Sequence, residues 1–161
     1  MIDKYFFTMS AIAPNQEYPN EKSIDKLQLD TIKWDVLLQT CTEEIHFLEQ
    51  FLSADIFQSE IPDLNEHLNR FSEELGDIKI EKIDLQTALR HHKNDLNGMR
   101  ECEDISCDIF YQTQHQNLLK NIQEHLSKFQ NFKSRIYKFS DHALLKNNLR
   151  IWYDFNILYA L

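Results

Sequence analysis

The stretch "LNEHLNRFSEELGDIKIEKIDLQTALRHHKNDLNGM", residues 64–99, decides the fold. Its apolar side chains recur at alternating steps of four and three residues, the spacing by which a helix keeps one stripe facing a partner helix. Only Lys82 and His92 are polar on this stripe. The pattern predicts one long helix, over 62–97, that buries a continuous face. The stripe consists of Leu64, Leu68, Phe71, Leu75, Ile78, Lys82, Leu85, Leu89, His92, Leu96 and Met99.

The two neighbouring stretches have similar spacing. The earlier one predicts a helix over 23–57, and the later one predicts a helix over 104–146 with shortened steps that would overwind a supercoil. Because the connections are short, neighbouring helices should run antiparallel. Residues 21–148 are therefore predicted to form an all-α, elongated antiparallel bundle of three long helices with coiled-coil-like heptad seams. The earlier stripe consists of Trp34, Leu38, Cys41, Ile45, Leu48 and Leu52, and the later one of Ile105, Ile109, Gln112, Gln116, Leu119, Ile122, Leu126, Phe129, Phe132, Ile136 and Phe139.

The ends of the chain do not share this periodicity. Residues 1–20 show no sustained period, and we expect a flexible N-terminal tail there. A signal peptide is disfavoured, because Asp3 lies where positive charge is needed and Thr8 interrupts the apolar part. The segment "LRIWYDFNILYAL", residues 149–161, is an apolar C-terminal tail that is too short to span a bilayer.

Composition limits the class of protein. Two glycines in 161 residues are too few for the turns of a compact β domain, so long helices are favoured. The three cysteines form no Cys-x-x-Cys motif, which favours reduced thiols and a cytoplasmic location. A formal net charge of −9 disfavours nucleic-acid binding. Lys and Arg nevertheless predominate between residues 120 and 150, and we expect this basic segment to lie against the acidic helices.

Three long segments carry a resemblance to other proteins. They are "WDVLLQTCTEEIHFLEQFL" (34–52), "LNRFSEEL" with "LQTALRHHKNDL" (68–75 and 85–96), and "HQNLLKNIQEHLSKFQNFKSRIYKFSDHALLK" (115–146). Over about residues 25–145 the chain resembles uncharacterised long-helix proteins of the Bacteroidetes group, which also begin with a Trp-containing amphipathic helix. The resemblance implies a helical-bundle fold and no particular activity.

One Glu-x-x-His motif, Glu43 with His46, has the spacing of half a di-metal site in a helical bundle. At roughly 100° per residue, both side chains point away from the stripe that holds Cys41 and Ile45. None of the other histidines has an acidic residue three positions before it. We therefore predict a solvated face at Glu43 and His46, no bound metal and no cofactor.

The polar residues that face inward form a second candidate. Reflecting the chain about its two connections places His92 near Thr31 of the first helix and near Gln112 and His115 of the third. These four residues are predicted to form a polar core layer, which would fix register or make a polar, pH-sensitive pocket. Lys82 is expected to carry its ammonium out to an acidic neighbour, Asp35 or Glu124.

No nucleophile–base pair or Gly-rich phosphate loop is present, so the chain is predicted not to be an enzyme. The first helix is apolar beyond its stripe, and this surplus, with the C-terminal tail, predicts an interface at Val36, Phe47, Phe51, Trp152 and Phe155. The leading hypothesis is an interaction or assembly module that pairs with its own copies or with another helical protein. The alternatives are a metal- or small-ligand-binding bundle and a membrane-peripheral protein held by residues 149–161; docking on a membrane surface is the less favoured role of that tail.

Overall fold

The computed structural model describes residues 22–99 and 105–144, which form three helices. Helix α1 spans Lys22–Ser53, helix α2 spans Leu64–Met99 and helix α3 spans Ile105–Ala143. Among the described residues there is no strand, and the only β feature is an isolated bridge between Phe57 and Leu144. The prediction of an all-α chain with three long helices is confirmed. The two predicted tails, 1–20 and 149–161, lie outside the described residues.

Helix α1 ends at Ser53, four residues before the predicted end at 57. The chain leaves the helix so that Phe57 can enter the core and pair with Leu144. Gln58 holds this connection in place, since its backbone N–H donates to the Ala143 carbonyl at 2.8 Å and its side-chain amide donates to the Leu144 carbonyl at 2.6 Å. These partners are more than 80 residues away in the sequence, so local periodicity does not predict them.

The start and end of α2 also differ slightly from the prediction. The helix begins at Leu64, just after Asp63, whose backbone φ is 55°. This left-handed conformation places Pro62 in the turn rather than in the first helical turn. The helix continues through Gly98 to Met99, two residues beyond the predicted end at 97, and neither Gly76 nor Gly98 has a positive φ.

Three clusters of buried residues form the core. A phenylalanine-rich cluster fills the end where α1 finishes and α2 begins: Cys41, Ile45, Leu48, Phe51, Leu52, Phe57, Leu75, Ile78, Phe129, Phe132, Ile136, Ala143 and Leu144. A tryptophan cluster follows along the helices: Trp34, Leu38, Leu85, Leu89, Leu118 and Ile122. A small end cluster of Leu27 and Leu96 lies nearest the start of α1. Each of the first two clusters takes side chains from all three helices.

The buried face of α3 differs from the predicted stripe. Ile109 is exposed, Gln116 is exposed and Gln112 is only half-buried. The buried positions instead step by three and four without the predicted slips, because two histidines belong to the set. They are His115, Leu118, Ile122, His125, Phe129, Phe132, Ile136, Ser140 and Ala143. The predicted stripe was irregular because it left out both histidines, although His115 was predicted separately as a member of the polar core layer.

Ion pairs link α3 to the other two helices. Lys128 pairs with Glu81 at 2.8 Å, Arg135 pairs with Glu74, and Lys133 pairs with Glu44 at 2.8 Å. The basic part of α3 thus lies against acidic residues of α1 and α2. No stretch of the three described helices combines the length and apolar character needed to cross a bilayer.

Candidate functional site: a buried histidine layer

His92 of α2 and His115 of α3 lie side by side inside the bundle, where each occupies a core-facing position of its helix. Their exposed fractions are 5% and 2%. The His92 Nε2 atom lies 3.0 Å from the His115 Nδ1 atom, and the ring centroids are 5.2 Å apart. This is a hydrogen bond between two imidazoles in a setting from which water is excluded.

The surroundings of the pair indicate which ring nitrogens carry hydrogen. A neutral imidazole carries one N–H, so one ring donates and the other accepts. The Asp30 Oδ2 atom faces the other nitrogen of His115, Nε2, at 3.8 Å. That distance is too long for a hydrogen bond, but the carboxylate favours a proton on Nε2. We therefore assign His92 as the donor and His115 Nδ1 as the acceptor.

The ring of Trp34 closes the layer on the α1 side. Its centroid lies 4.4 Å from that of His115 with the planes tilted by 34°, and Trp34 is 2% exposed. An aromatic face supplies packing but no hydrogen-bond acceptor for an N–H in the ring plane. The contact therefore adds to the desolvation of His115.

Burial sets the protonation of both histidines. The pKa of His115 is lowered to about 4, chiefly by burial and then by the neighbouring His92, whereas the Asp30 carboxylate acts in the opposite direction. The pKa of His92 is also lowered by burial, and the Asp95 carboxylate opposes this. Both rings are accordingly neutral at pH 7.

The other two predicted members of the layer contribute differently. Thr31 is 2% exposed, and its hydroxyl donates to the Gln28 carbonyl at 2.7 Å, within its own helix. Gln112 is half-buried at the edge. The structure therefore brings His92 and His115 into direct contact, buries Thr31 with its hydroxyl bonded within α1, and leaves Gln112 half-buried.

Lys82 forms a second polar contact within the core. It is 5% exposed, and its ammonium donates a 2.8 Å hydrogen bond to the Thr42 hydroxyl. The expected partners are both engaged elsewhere, since Asp35 pairs with Lys93 at 2.6 Å and Glu124 pairs with Lys120 at 3.8 Å. The prediction failed because it treated any lysine on a core-facing stripe as reaching the surface.

His125 is a buried histidine that the periodicity argument missed. It is fully buried, and neither ring nitrogen makes a hydrogen bond. The Glu81 Oε2 atom lies 3.4 Å from Nδ1 as an ion-pair partner without forming a hydrogen bond. Burial lowers the pKa of His125, and the hydrogen bond from Lys128 lowers that of Glu81. The three-four spacing of His125 with Ile122 and Phe129 is the signal that would have identified it.

Glu43 and His46 both lie on the exposed surface of α1. The His46 Nε2 atom lies 3.1 Å from the Gln50 side-chain amide, and its Nδ1 lies 3.9 Å from Glu49. Within residues 22–99 and 105–144, no group of three or more His, Cys, Asp or Glu residues is arranged to hold a metal ion.

The predicted interface residues separate into three groups. Val36 is 61% exposed. Phe51 is 6% exposed, because the chain after α1 brings Phe57 against it at a ring distance of 5.4 Å. Phe51 thus belongs to the core of its own chain and is not an open surface residue, while Phe47 is half-buried beside it. Trp152 and Phe155 lie outside the described residues.

A surface groove lies at the connection between α1 and α2, and neither His92 nor His115 lines it. It has a volume of about 880 Å³ and is bounded by residues between Leu52 and Ser72. None of the groups with a shifted pKa lines it. The groove and the buried histidine layer are therefore separate features.

Comparison with known proteins adds no assignment. No protein-family model, no curated protein and no solved structure matches this chain. The resemblance to long-helix proteins of the Bacteroidetes group stays a prediction.

Proposed function

We propose that this chain is a non-enzymatic helical-bundle module for interaction or assembly, whose partner is a further copy of itself or another helical protein. The observation that carries the proposal is an apolar stripe on α1. Leu29, Ile32 and Val36 are 51%, 57% and 61% exposed. They lie at positions i, i+3 and i+7, so they form one row on a helix.

This row, which we name the α1 outer stripe, lies on the side of α1 away from the buried Trp34 and Leu38. A helix that packs only within its own bundle needs one apolar face, and α1 has two. A second apolar row is typical of a helix that meets another helix from outside the fold.

We further propose that the bundle is antiparallel with coiled-coil-like seams. The contacts that support this run in opposite directions along neighbouring helices. From the start of α1 onward, Asp35, Thr42 and Glu49 meet Lys93, Lys82 and Lys79 in turn. Likewise Glu74, Glu81 and His92 of α2 meet Arg135, Lys128 and His115 of α3.

A structural rather than catalytic role for the polar core is supported by the way its groups are used. His92 and His115 bond to each other, and Lys82 bonds to Thr42. Each is at most 5% exposed except Thr42, so none presents a free reactive atom to a substrate. Buried polar contacts of this kind fix register in helical bundles.

Light scattering on the full chain tests the proposed assembly. The substitutions Leu29→Gln, Ile32→Gln and Val36→Gln together remove the α1 outer stripe without touching the core. We expect the wild-type chain to have the mass of more than one copy at tens of micromolar, and the triple variant to have the mass of one copy.

The matched control replaces Ile80 and Ile83 of α2, which are also exposed, with Gln. We expect this control to keep the wild-type mass. If the wild-type chain has the mass of one copy over the whole concentration range, the proposal of self-assembly is wrong. Affinity capture from the native cell with wild type and triple variant then tests the other partner class, and equal capture by both rejects the stripe as the interface.

A further inference from the structure

We propose that the His92–His115 pair makes one end of the bundle proton-sensitive, so that this end opens in mild acid while the phenylalanine-rich end stays packed. This inference does not depend on the proposed interaction role. It rests on where the pair lies, on what faces it and on how unevenly the apolar core is distributed.

Among the residues that the structure describes, the pair lies beside the smallest of the three buried clusters. On one side of it is the end cluster of Leu27 and Leu96, and on the other is the tryptophan cluster. We name this region, with its parts of all three helices, the histidine end. Within residues 22–99 and 105–144, its end cluster has two buried apolar side chains, with Ile24 and Tyr111 packed against them, so a small loss of free energy is enough to open it.

Adding a proton disrupts the pair directly. The two nitrogens that face each other, His92 Nε2 and His115 Nδ1, are 3.0 Å apart and share one hydrogen. A first proton creates a cation in a site with 2% and 5% exposure, and a second proton places two N–H groups against each other. Solvating the charge requires α3 to separate from α1 and α2.

The charged groups around the pair do not compensate fully. From α1, the Asp30 carboxylate faces His115 at 3.8 Å, and Lys26 acts against it. From α2, Asp95 favours the charged form of His92. From α3, the group that faces His92 is His115 itself. Burial prevails over the Asp30 carboxylate, so the pKa of His115 falls from 6.5 to about 4, and burial likewise prevails over Asp95, so the pKa of His92 is lowered.

At the opposite end, the described part of the chain forms a much larger cluster. The phenylalanine-rich cluster contains 13 buried residues and no histidine. His125 lies between the two ends, where Glu81 faces it from α2 at 3.4 Å together with Lys82, and Lys128 follows on α3. A proton on His125 therefore meets a carboxylate that is closer than Asp30 is to His115.

The size of the effect follows from proton linkage. An open state with an ordinary His115 pKa of 6.5 binds a proton that the closed state, with a pKa of about 4, does not. Between pH 7.5 and pH 5 this raises the opening equilibrium by about 30-fold for His115 alone. The opening equilibrium therefore increases as the pH falls below the ordinary pKa of 6.5 and changes little above it.

Amide hydrogen exchange at pH 7.5 and pH 5 tests the proposal on the full chain. Rates are corrected for the intrinsic pH dependence, and two sets of peptides are compared. We expect opening to rise about 30-fold in 27–38, 85–96 and 109–118, and to change less than threefold in 45–52, 71–78 and 129–136. A uniform change across both sets, or no change in either, overturns the proposal.

Variants connect the effect to the pair. The double variant His92→Gln with His115→Gln should lose the difference between the two ends. The control His46→Gln with His142→Gln replaces two exposed histidines and should keep it. If the double variant does not fold, ring NMR of wild type decides. A His115 ring that titrates near 6.5 while its surrounding amides stay protected overturns the proposal.

Discussion

Lys82 Nζ donates a 2.8 Å hydrogen bond to Thr42 Oγ1, and the Thr42 hydroxyl donates in turn to the Leu38 carbonyl at 3.0 Å. The Thr42 hydroxyl thus accepts a hydrogen bond from a nearly buried ammonium on α2 and donates one to a carbonyl of its own helix. Burial lowers the pKa of Lys82, which shows that the core disfavours its charge. The hydroxyl is the protein group within hydrogen-bonding distance that offsets this penalty.

Replacing Thr42 with valine should destabilise the fold. The change keeps the shape of the side chain but leaves the Lys82 ammonium without its acceptor, which costs about 1–3 kcal/mol for a buried polar group. Urea denaturation of wild type and Thr42→Val at pH 7 measures the difference in the free energy of unfolding. The control is Thr40→Val, because the Thr40 hydroxyl also donates to a carbonyl one turn earlier but is exposed and accepts from no lysine.

A double variant checks the cause of that loss. If the unpaired ammonium is responsible, Thr42→Val with Lys82→Met should recover most of the stability, because both polar partners are then gone. A double variant as unstable as Thr42→Val alone would contradict this account.

His125 should be replaceable by leucine with a gain in stability. Its two ring nitrogens are buried without a hydrogen bond, and such groups cost about 1–3 kcal/mol. We expect His125→Leu to raise the free energy of unfolding by about 1 kcal/mol at pH 7. Because the histidine pKa is lowered on folding, wild type loses further stability below pH 6.5, and the gain should grow between pH 7 and pH 5.5.

Chemical denaturation at both pH values checks the prediction for His125. His142→Leu provides the comparison, since His142 is exposed and should show no such gain. A lower free energy of unfolding for His125→Leu than for wild type would contradict the prediction. It would mean that the contact with Glu81 stabilises the fold by more than the burial of the ring nitrogens destabilises it.

Cys41 should make the protein less stable in alkali. Burial, with a smaller effect from Glu44, raises the pKa of its thiol from 9.0 to about 11. The unfolded chain loses this proton above pH 9 while the folded chain keeps it, so stability falls as the pH rises. At pH 9.5 the loss is up to about 0.8 kcal/mol relative to pH 8.

The Cys41→Ala variant isolates this effect. Its overall stability is lower at every pH, because a buried side chain is shortened, but its decline between pH 8 and pH 9.5 should be smaller than that of wild type. Urea midpoints at the two pH values provide the comparison. Equal declines in both chains would contradict a buried, protonated thiol.

Gly76 should tolerate alanine and benefit from it. A Cβ atom added there would meet nothing within 4 Å, and the glycine lies in the middle of α2 with no positive φ. Alanine at a helical position of this kind stabilises by about 0.5–1 kcal/mol. Thermal denaturation measures the gain. Gly98→Ala is the matched comparison, and it should gain less because it lies in the last turn of α2 with the Tyr111 hydroxyl 3.5 Å from its Cβ.

An unchanged or lower melting temperature for Gly76→Ala would have a specific meaning. It would show that something approaches the open side of this glycine in solution. Light scattering on the same variant then shows whether a second copy is that neighbour.

The predicted stripe of α2 agrees closely with the buried set. Leu75, Ile78, Leu85, Leu89 and Leu96 are all buried, as their spacing predicts. The polar members are buried too: His92 was predicted to face inward, whereas the ammonium of Lys82 was predicted to reach the surface and instead stays in the core. What periodicity does not predict is the partner of a polar member, since that depends on the neighbouring helix.

The stripe of α3 was predicted less well. Its buried set includes His115, which the sequence placed in the polar core layer but not on the stripe, and His125, which the sequence did not place in the core. A neutral histidine ring is large enough to fill space in a helical core. Burial lowers the pKa of both rings here and so favours their neutral form. Whether a histidine of this chain is buried therefore depends on the environment of its ring and not on the residue type.

The amino-acid sequence by itself determined that this chain forms three long helices, because helical periodicity is a local property that each segment carries alone. It also determined which face of α2 is buried. Only the tertiary structure decided that His92 bonds to His115, that Lys82 bonds to Thr42 and that α1 ends at Ser53 so that Phe57 meets Leu144. These contacts join residues on different elements, so they depend on the axial and rotational fit of one helix against another, which no single segment contains.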